Sequence, residues 1–160
     1  MNFEQYQDYL IDTATSLLSI DSTSGFTAKV TDYLIDTVKE LGYPVYKNNI
    51  GNVIVTVEGE DDSEPVALSA HVDTLGLMVR SITSDGMLMI TSIGSPLLPS
   101  LDGEYCNIHT RDGRVYTGTI LSLSPAIHVF PDASTRDRDE QNMAVRIDEI
   151  VHSKEDVEAL

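Results

Sequence analysis

Residues 66–79 read VALSAHVDTLGLMV. The short apolar run VALSA is followed directly by the more polar residues HVDT. The run VALSA has the length and composition of a buried strand, and it stops at His71. Ligands bind at the carboxyl ends of strands in an α/β sheet, because the loops converge there. We therefore predict a buried strand over residues 66–70 and a candidate site directly after it.

The segments before this run predict two helices and a hairpin. Apolar residues recur at three- and four-residue steps in two places, which is typical of amphipathic helices. They are Phe3, Tyr6, Leu10, Ala14, Leu17 and Leu18 in the first helix, and Val30, Leu34, Val38 and Leu41 in the second. Gly42 follows where a left-handed residue would end the second helix. YPVYKNNIGNVIVTV then predicts two strands joined by an Asn/Gly turn, so this part of the chain indicates an α/β sheet domain.

Strand-like segments separated by turn signals follow Thr74. They are LGLMVRSI, MLMITSI, EYCNIHT and RVYTGTILSL. Short strands at roughly ten-residue spacing favour a small β-barrel or sandwich, so we predict a domain boundary near residue 75. PDASTRDRDEQN predicts a mobile surface loop, and AVRIDEIV predicts a further strand. Ser153 is then expected to cap a helix, with Asp156 at the capping-box position.

Composition and charge exclude several classes of partner. The 160 residues include 26 acidic and 10 basic residues, a net charge of −16. Because no cluster of Lys or Arg could neutralise a run of phosphates, we expect neither nucleic acid nor an anionic membrane as a partner. The opening segment has acids where a secretory signal carries basic residues, so a cytoplasmic location is expected. The single cysteine, Cys106, is expected to be a small buried hydrophobe.

His71 and Asp73 form the most specific chemical motif of the sequence. A carboxylate two residues after a histidine can orient the imidazole, directly or through a bound metal, and so fix which ring nitrogen faces the ion. The same pair also occurs as a hydrogen-bonded histidine beside a turn-forming aspartate. Spacing alone leaves both interpretations open.

Context makes the motif more specific. The run VALSAHVDTLGLMV follows NNIGNVIV, and STSGF precedes the second helix. Together these segments resemble the dinuclear metalloaminopeptidases called glutamyl or tetrahedral aminopeptidases, peptidase family M, number forty-two, some of which carry an old endoglucanase label. The family pattern is a Ser-Gly turn, a Gly-Asn-Val strand, and Ala/Gly-His-Met-Asp-Glu-Ile-Gly. Thr74 stands where the family usually has Glu, and Ile93-Gly94-Ser95 where it often has Ile-Gly-Gly.

The resemblance implies a division of the chain and a role for each matched residue. His71 would ligate one of two divalent metal ions, Zn or Co, and Asp73 would belong to the catalytic machinery as the carboxylate that supports this ligand. Residues 1–74 would be the first part of a zinc-aminopeptidase-like α/β domain, and residues 151–160 the return to it. Residues 75–150 would be an inserted small β-barrel, PDZ-like domain through which relatives dimerise and form hollow homo-oligomers.

The resemblance also implies that a peptide is the substrate and that this chain is an N-terminal fragment. The remaining metal ligands and the general base of the family lie in its later half, so residues 1–160 alone are expected to be inactive and to bind no metal tightly. Two alternatives stay open: a non-catalytic module that associates with itself, and a related His-x-Asp metallo-hydrolase of deacetylase or carboxypeptidase type. Structural roles are expected for His109, His128 and His152.

Overall fold

A computed structural model of the chain describes residues 3–61 and 63–160. The chain divides into two compact units, of which the first ends at Leu75 and the second is Gly76–Leu160. The fold is mixed α/β, with its helices mainly in the first unit and a curled antiparallel sheet in the second. Among the described residues, no helix is long and apolar enough to cross a membrane.

Both predicted helices are present in the first unit. A single 3-10 turn, Glu4–Tyr6, leads into α1, Gln7–Leu18, and α2 is Ala28–Glu40. Gly42 follows α2 with φ +83°, and the Tyr43 N–H donates to the Val38 carbonyl across that turn. This is the glycine-dependent helix end that the sequence predicts. Burial is uneven, since α2 buries Val30 completely whereas α1 buries no residue.

The predicted hairpin is also confirmed. Strands β1, Val45–Lys47, and β2, Val53–Val55, are antiparallel. In the connecting turn, the Asn48 carboxamide oxygen accepts hydrogen bonds from the backbone N–H groups of Ile50 and Asn52. Gly51 takes a φ of +93°, a conformation that a residue with a Cβ rarely adopts.

The predicted buried strand over residues 66–70 is wrong. These residues form no strand, and Val66 and Leu68 are 88% and 97% exposed. A central strand is stable only when strands on both sides accept and donate its backbone hydrogen bonds. No strand of the described chain pairs with this segment, so its apolar side chains remain on the surface.

The second unit is built on a five-stranded antiparallel sheet. Its strands are β3, Gly76–Ile82; β4, Leu88–Ile93; β5, Tyr105–His109; β6, Val115–Ser122; and β7, Met143–Ile147. The order across the sheet is β3-β4-β7-β6-β5, so the last strand lies between β4 and β6. The five predicted strand segments are therefore confirmed. A core on one side of the sheet contains Leu88, Ile90, Leu98, Ile120, Met143 and Val145.

The polar loop between β6 and β7 is tied to the sheet through Glu140. Its carboxylate accepts hydrogen bonds from the Ser92 backbone N–H at 2.6 Å and from the Thr91 hydroxyl at 3.0 Å. Hydrogen bonds from Ser92, and after them the hydrogen bond from the Thr91 hydroxyl, lower the pKa of Glu140 below its ordinary value. Arg80 on β3 donates to the Glu140 carbonyl at 2.9 Å. The sequence predicted a mobile loop, and these bonds instead attach it to β3 and β4.

The chain continues from β7 into α3, Lys154–Glu158, which begins as predicted. The Ser153 hydroxyl accepts a hydrogen bond from the Asp156 N–H at 3.2 Å, and the Asp156 carboxylate accepts one from the His152 N–H at 2.8 Å. These reciprocal bonds satisfy N–H groups that a helix start leaves unpaired. Cys106 on β5 is half-buried against the core, and this burial raises the pKa of its thiol.

Candidate functional site

The segment that carries His71 and Asp73 is held beside the loop between α1 and α2. Thr74 forms a parallel β-bridge with Thr23, and the Thr74 N–H donates to the Ser22 carbonyl at 3.0 Å. The Ser22 hydroxyl, which is completely buried, donates to the Val72 carbonyl at 3.0 Å. A residue from the DSTSG loop thus holds the backbone on each side of Asp73.

The side chains of His71 and Asp73 are in contact. Nδ1 of His71 lies 3.2 Å from Oδ1 of Asp73 and 3.2 Å from the Asp73 backbone oxygen. Both neighbours are acceptors, so this geometry favours the tautomer with the proton on Nδ1. That tautomer leaves a lone pair on Nε2. The His71 side chain is 86% exposed, so Nε2 is accessible to a ligand.

A serine completes the arrangement on the other side of the carboxylate. The Ser24 hydroxyl donates a short hydrogen bond to Oδ2 of Asp73. This bond is the main reason that the pKa of Asp73 lies below its ordinary value; the hydrogen bond and charge of His71 add to the effect, and desolvation opposes it. Asp73 is therefore a carboxylate at neutral pH, as required of an acceptor for the Nδ1 proton.

His71 and Asp73 have no third metal-binding side chain beside them among the described residues. In residues 3–61 and 63–160, no group of three or more His, Cys, Asp or Glu side chains could hold a metal ion. Both arginines of the RDRDEQ loop pair with acids outside it, Arg136 with Asp132 and Arg138 with Asp102. The loop's Glu140 binds Ser92 and Thr91. His152 lies at the start of α3, where its backbone N–H is bonded.

The chemistry of the donor set fits a metal ion that is bound with other ligands. A neutral imidazole with one nitrogen bonded to a carboxylate and the other accessible is the arrangement found in metal-ligating histidines. One imidazole alone does not hold zinc, which takes about three or four protein ligands. His71 therefore fits the role of one ligand in a larger set.

Sequence reasoning did not assign a role to Ser22 or Ser24. Both lie in STSGF, a segment that resembles the family's Ser-Gly turn and carries no metal-ligand pattern of its own. Their partners Val72 and Asp73 are 50 and 49 residues away along the chain. The spacing of a motif carries no signal for such a distant contact.

Comparison with known proteins identifies the family. Residues 51–160 match the family model described as M42 glutamyl aminopeptidase. The candidate aminopeptidase YhfE of Bacillus subtilis is 44% identical over 144 residues, which are 90% of this chain and 42% of that protein.

Solved structures agree with this match. Aminopeptidase APDkam598 from the archaeon Desulfurococcus kamchatkensis has a TM-score of 0.82 at 27% identity, over 96% of this chain and 41% of that one. The TET1 peptidase of Pyrococcus horikoshii, which can assemble into a tetrahedron or a large octahedral shell, has a TM-score of 0.76 at 26% identity, over 94% of this chain and 43% of that one. The chain thus spans less than half the length of these relatives. It belongs to the M42 glutamyl aminopeptidase family.

Proposed function

We propose that the whole protein is a metal-dependent aminopeptidase that removes N-terminal residues from peptides, and that His71 is one of its metal ligands. The observation that carries the proposal is the hydrogen-bonded chain of Ser24, Asp73 and His71, which leaves an exposed imidazole nitrogen free in a member of this family. The proposed cofactors are two divalent ions, zinc or cobalt. A cytoplasmic location is part of the proposal.

The residues of this chain would bind and orient rather than transfer the reacting proton. Metal ions in such a site polarise the scissile carbonyl and lower the pKa of a bound water. Asp73 holds the proton of His71 on Nδ1, so that Nε2 keeps its lone pair for the metal. Because the Asp73 carboxylate is ionised, it also increases the electron density on the ring, which strengthens Nε2 as a ligand.

We also propose that residues 75–150 form the family's small β-barrel domain and mediate assembly into a homo-oligomer, with residues 1–74 and 151–160 belonging to the catalytic α/β domain. The five-stranded sheet and the shell-forming TET1 peptidase among the structural relatives support this proposal. Light scattering on the whole protein tests it, since a strictly monomeric protein would be inconsistent with assembly.

Metal removal is expected to abolish hydrolysis by the whole protein. Dialysis against a chelator should lower the rate on a peptide with a free amino terminus by at least about 100-fold, because the Lewis acid and the activated water are both lost. Added zinc or cobalt should restore the rate. Peptide cleavage followed by mass spectrometry measures both effects.

The choice of substrates separates the proposal from its alternatives. N-acetylated peptides are the control, and they should not be cleaved. Preferential deacetylation, or cleavage from the carboxyl end, would indicate a related His-x-Asp hydrolase. Activity that survives complete metal removal would contradict the proposal itself.

Residues 1–160 alone are expected to bind zinc only weakly. Because the described residues bring only one imidazole to this site, the affinity should resemble that of an ordinary surface histidine. Isothermal titration calorimetry with Zn²⁺ measures it. Stoichiometric binding with a submicromolar dissociation constant, lost in His71→Ala, would show that the chain holds a metal site of its own.

A further inference from the structure

The Asp73 carboxylate is bonded through both of its oxygens. Oδ1 lies 3.2 Å from Nδ1 of His71, and Oδ2 accepts the short hydrogen bond from the Ser24 hydroxyl. The two bonds fix the plane of the carboxylate, since rotation about its terminal torsion would break both. Asp73 is 39% exposed and His71 86% exposed, so packing contributes little to the orientation of either side chain. Hydrogen bonding must therefore orient both side chains.

The backbone around Ser24 is itself fixed. Thr23 is held by its bridge to Thr74, and the Phe26 N–H donates to the Thr23 carbonyl at 2.6 Å. Gly25 has a φ of +86°, which allows the chain to reverse directly after Ser24. Ser24 thus lies inside a closed β-turn anchored to the segment that carries Asp73. Its hydroxyl is positioned before any ligand binds.

We propose that Ser24 is a positioning residue for the metal ligand: through Asp73 it selects the tautomer and orientation of His71. This inference rests on the proposed function and adds a residue to it. Partners that orient a metal-ligating histidine typically change metal affinity by about 10–100-fold when they are removed. Ser24 acts one bond further away, so we expect the lower end of that range.

The experiment measures zinc affinity of the whole protein, prepared free of metal, by competition with a fluorescent chelator. Ser24→Ala should raise the dissociation constant for Zn²⁺ about tenfold. Ser24→Thr keeps the hydroxyl and should stay within about twofold of the unchanged protein. Ser19→Ala is the matched control, because the Ser19 hydroxyl is also exposed but donates only to the Ser16 carbonyl. It should have no effect.

Two further measurements distinguish positioning from a general structural effect. In an Asp73→Ala background, Ser24→Ala should have no additional effect, because Ser24 acts only through that carboxylate. The ¹⁵N chemical shifts of the His71 ring in the metal-free protein should report the Nδ1-protonated tautomer, and a mixture of tautomers in Ser24→Ala. The unchanged protein and Ser24→Ala should unfold at the same temperature.

The results separate this inference from the proposed function. If His71→Ala abolishes tight zinc binding while Ser24→Ala leaves it within twofold, Ser24 has no positioning role and the proposed function stands. If Ser24→Ala weakens binding equally in the Asp73→Ala background, Ser24 does not act through Asp73. If His71→Ala leaves zinc binding unchanged, the proposed function is wrong and this inference is wrong with it.

Discussion

His71→Ala in the whole protein is expected to lower kcat/KM at least about 1,000-fold, or about 4 kcal/mol of transition-state stabilisation. The imidazole is proposed to hold one of the ions that polarise the scissile carbonyl, and alanine offers no replacement donor. Stability should change by less than about 0.5 kcal/mol, because the ring is 86% exposed and its removal leaves no cavity. Steady-state kinetics and thermal unfolding of the same sample measure the two quantities.

A matched variant and a graded one strengthen this test. His152 is another exposed histidine, and its hydrogen bond to Asp156 comes from the backbone N–H, so His152→Ala should keep full activity. Asp73→Asn should give an intermediate loss of about 10–100-fold, because His71 remains but its charged acceptor does not. Retention of normal activity by His71→Ala would exclude His71 as a ligand.

Gly118→Val is expected to destabilise the second unit by about 3 kcal/mol. A Cβ at this position would lie 2.8 Å from Ile108 Cδ1, 2.8 Å from Val145 Cγ1 and 2.9 Å from the Arg146 carbonyl oxygen. The Arg146 oxygen cannot retreat easily, because it belongs to β7 where β6 and β7 pair. Any shift therefore costs hydrogen bonds of the sheet as well as packing.

Urea unfolding followed by circular dichroism measures this effect. Gly59→Ala is the control, since its new Cβ would have no neighbour closer than 3.8 Å among the described residues and its φ is not positive. That variant should stay within about 0.5 kcal/mol of the unchanged chain. A Gly118→Val chain with unaltered unfolding would mean that β6 and β7 separate more easily than their register indicates.

Local patterns account for the parts of the fold that the sequence predicted. The helical period over Gln7–Leu18 and Ala28–Glu40, the Asn/Gly turn before Val53 and the reciprocal cap at Ser153 each depend on neighbouring residues. The order of the sheet does not. Its last strand, Met143–Ile147, enters between two earlier strands, and only contacts across long sequence distances determine that position.

The candidate site was likewise predictable only where its contacts are local in sequence. The closeness of His71 and Asp73 follows from their spacing, and Nδ1 of His71 lies 3.2 Å from Oδ1 of Asp73. The metal-ligand role of His71 remains a prediction. The contact of Ser24 could not be predicted, because its partner Asp73 lies on a distant segment. The predicted strand over residues 66–70 was wrong because apolar composition does not reveal whether partner strands exist.

The exposed run over residues 66–70 has a consequence for any study of assembly. An apolar, uncharged segment with an unpaired backbone can add as a strand to the same segment of a second molecule, which is how aggregates are templated. Higher-order species of residues 1–160 could therefore arise from this run instead of from the five-stranded sheet. Leu68→Lys should suppress the first route and leave an interface through the five-stranded sheet intact, so the two origins can be distinguished.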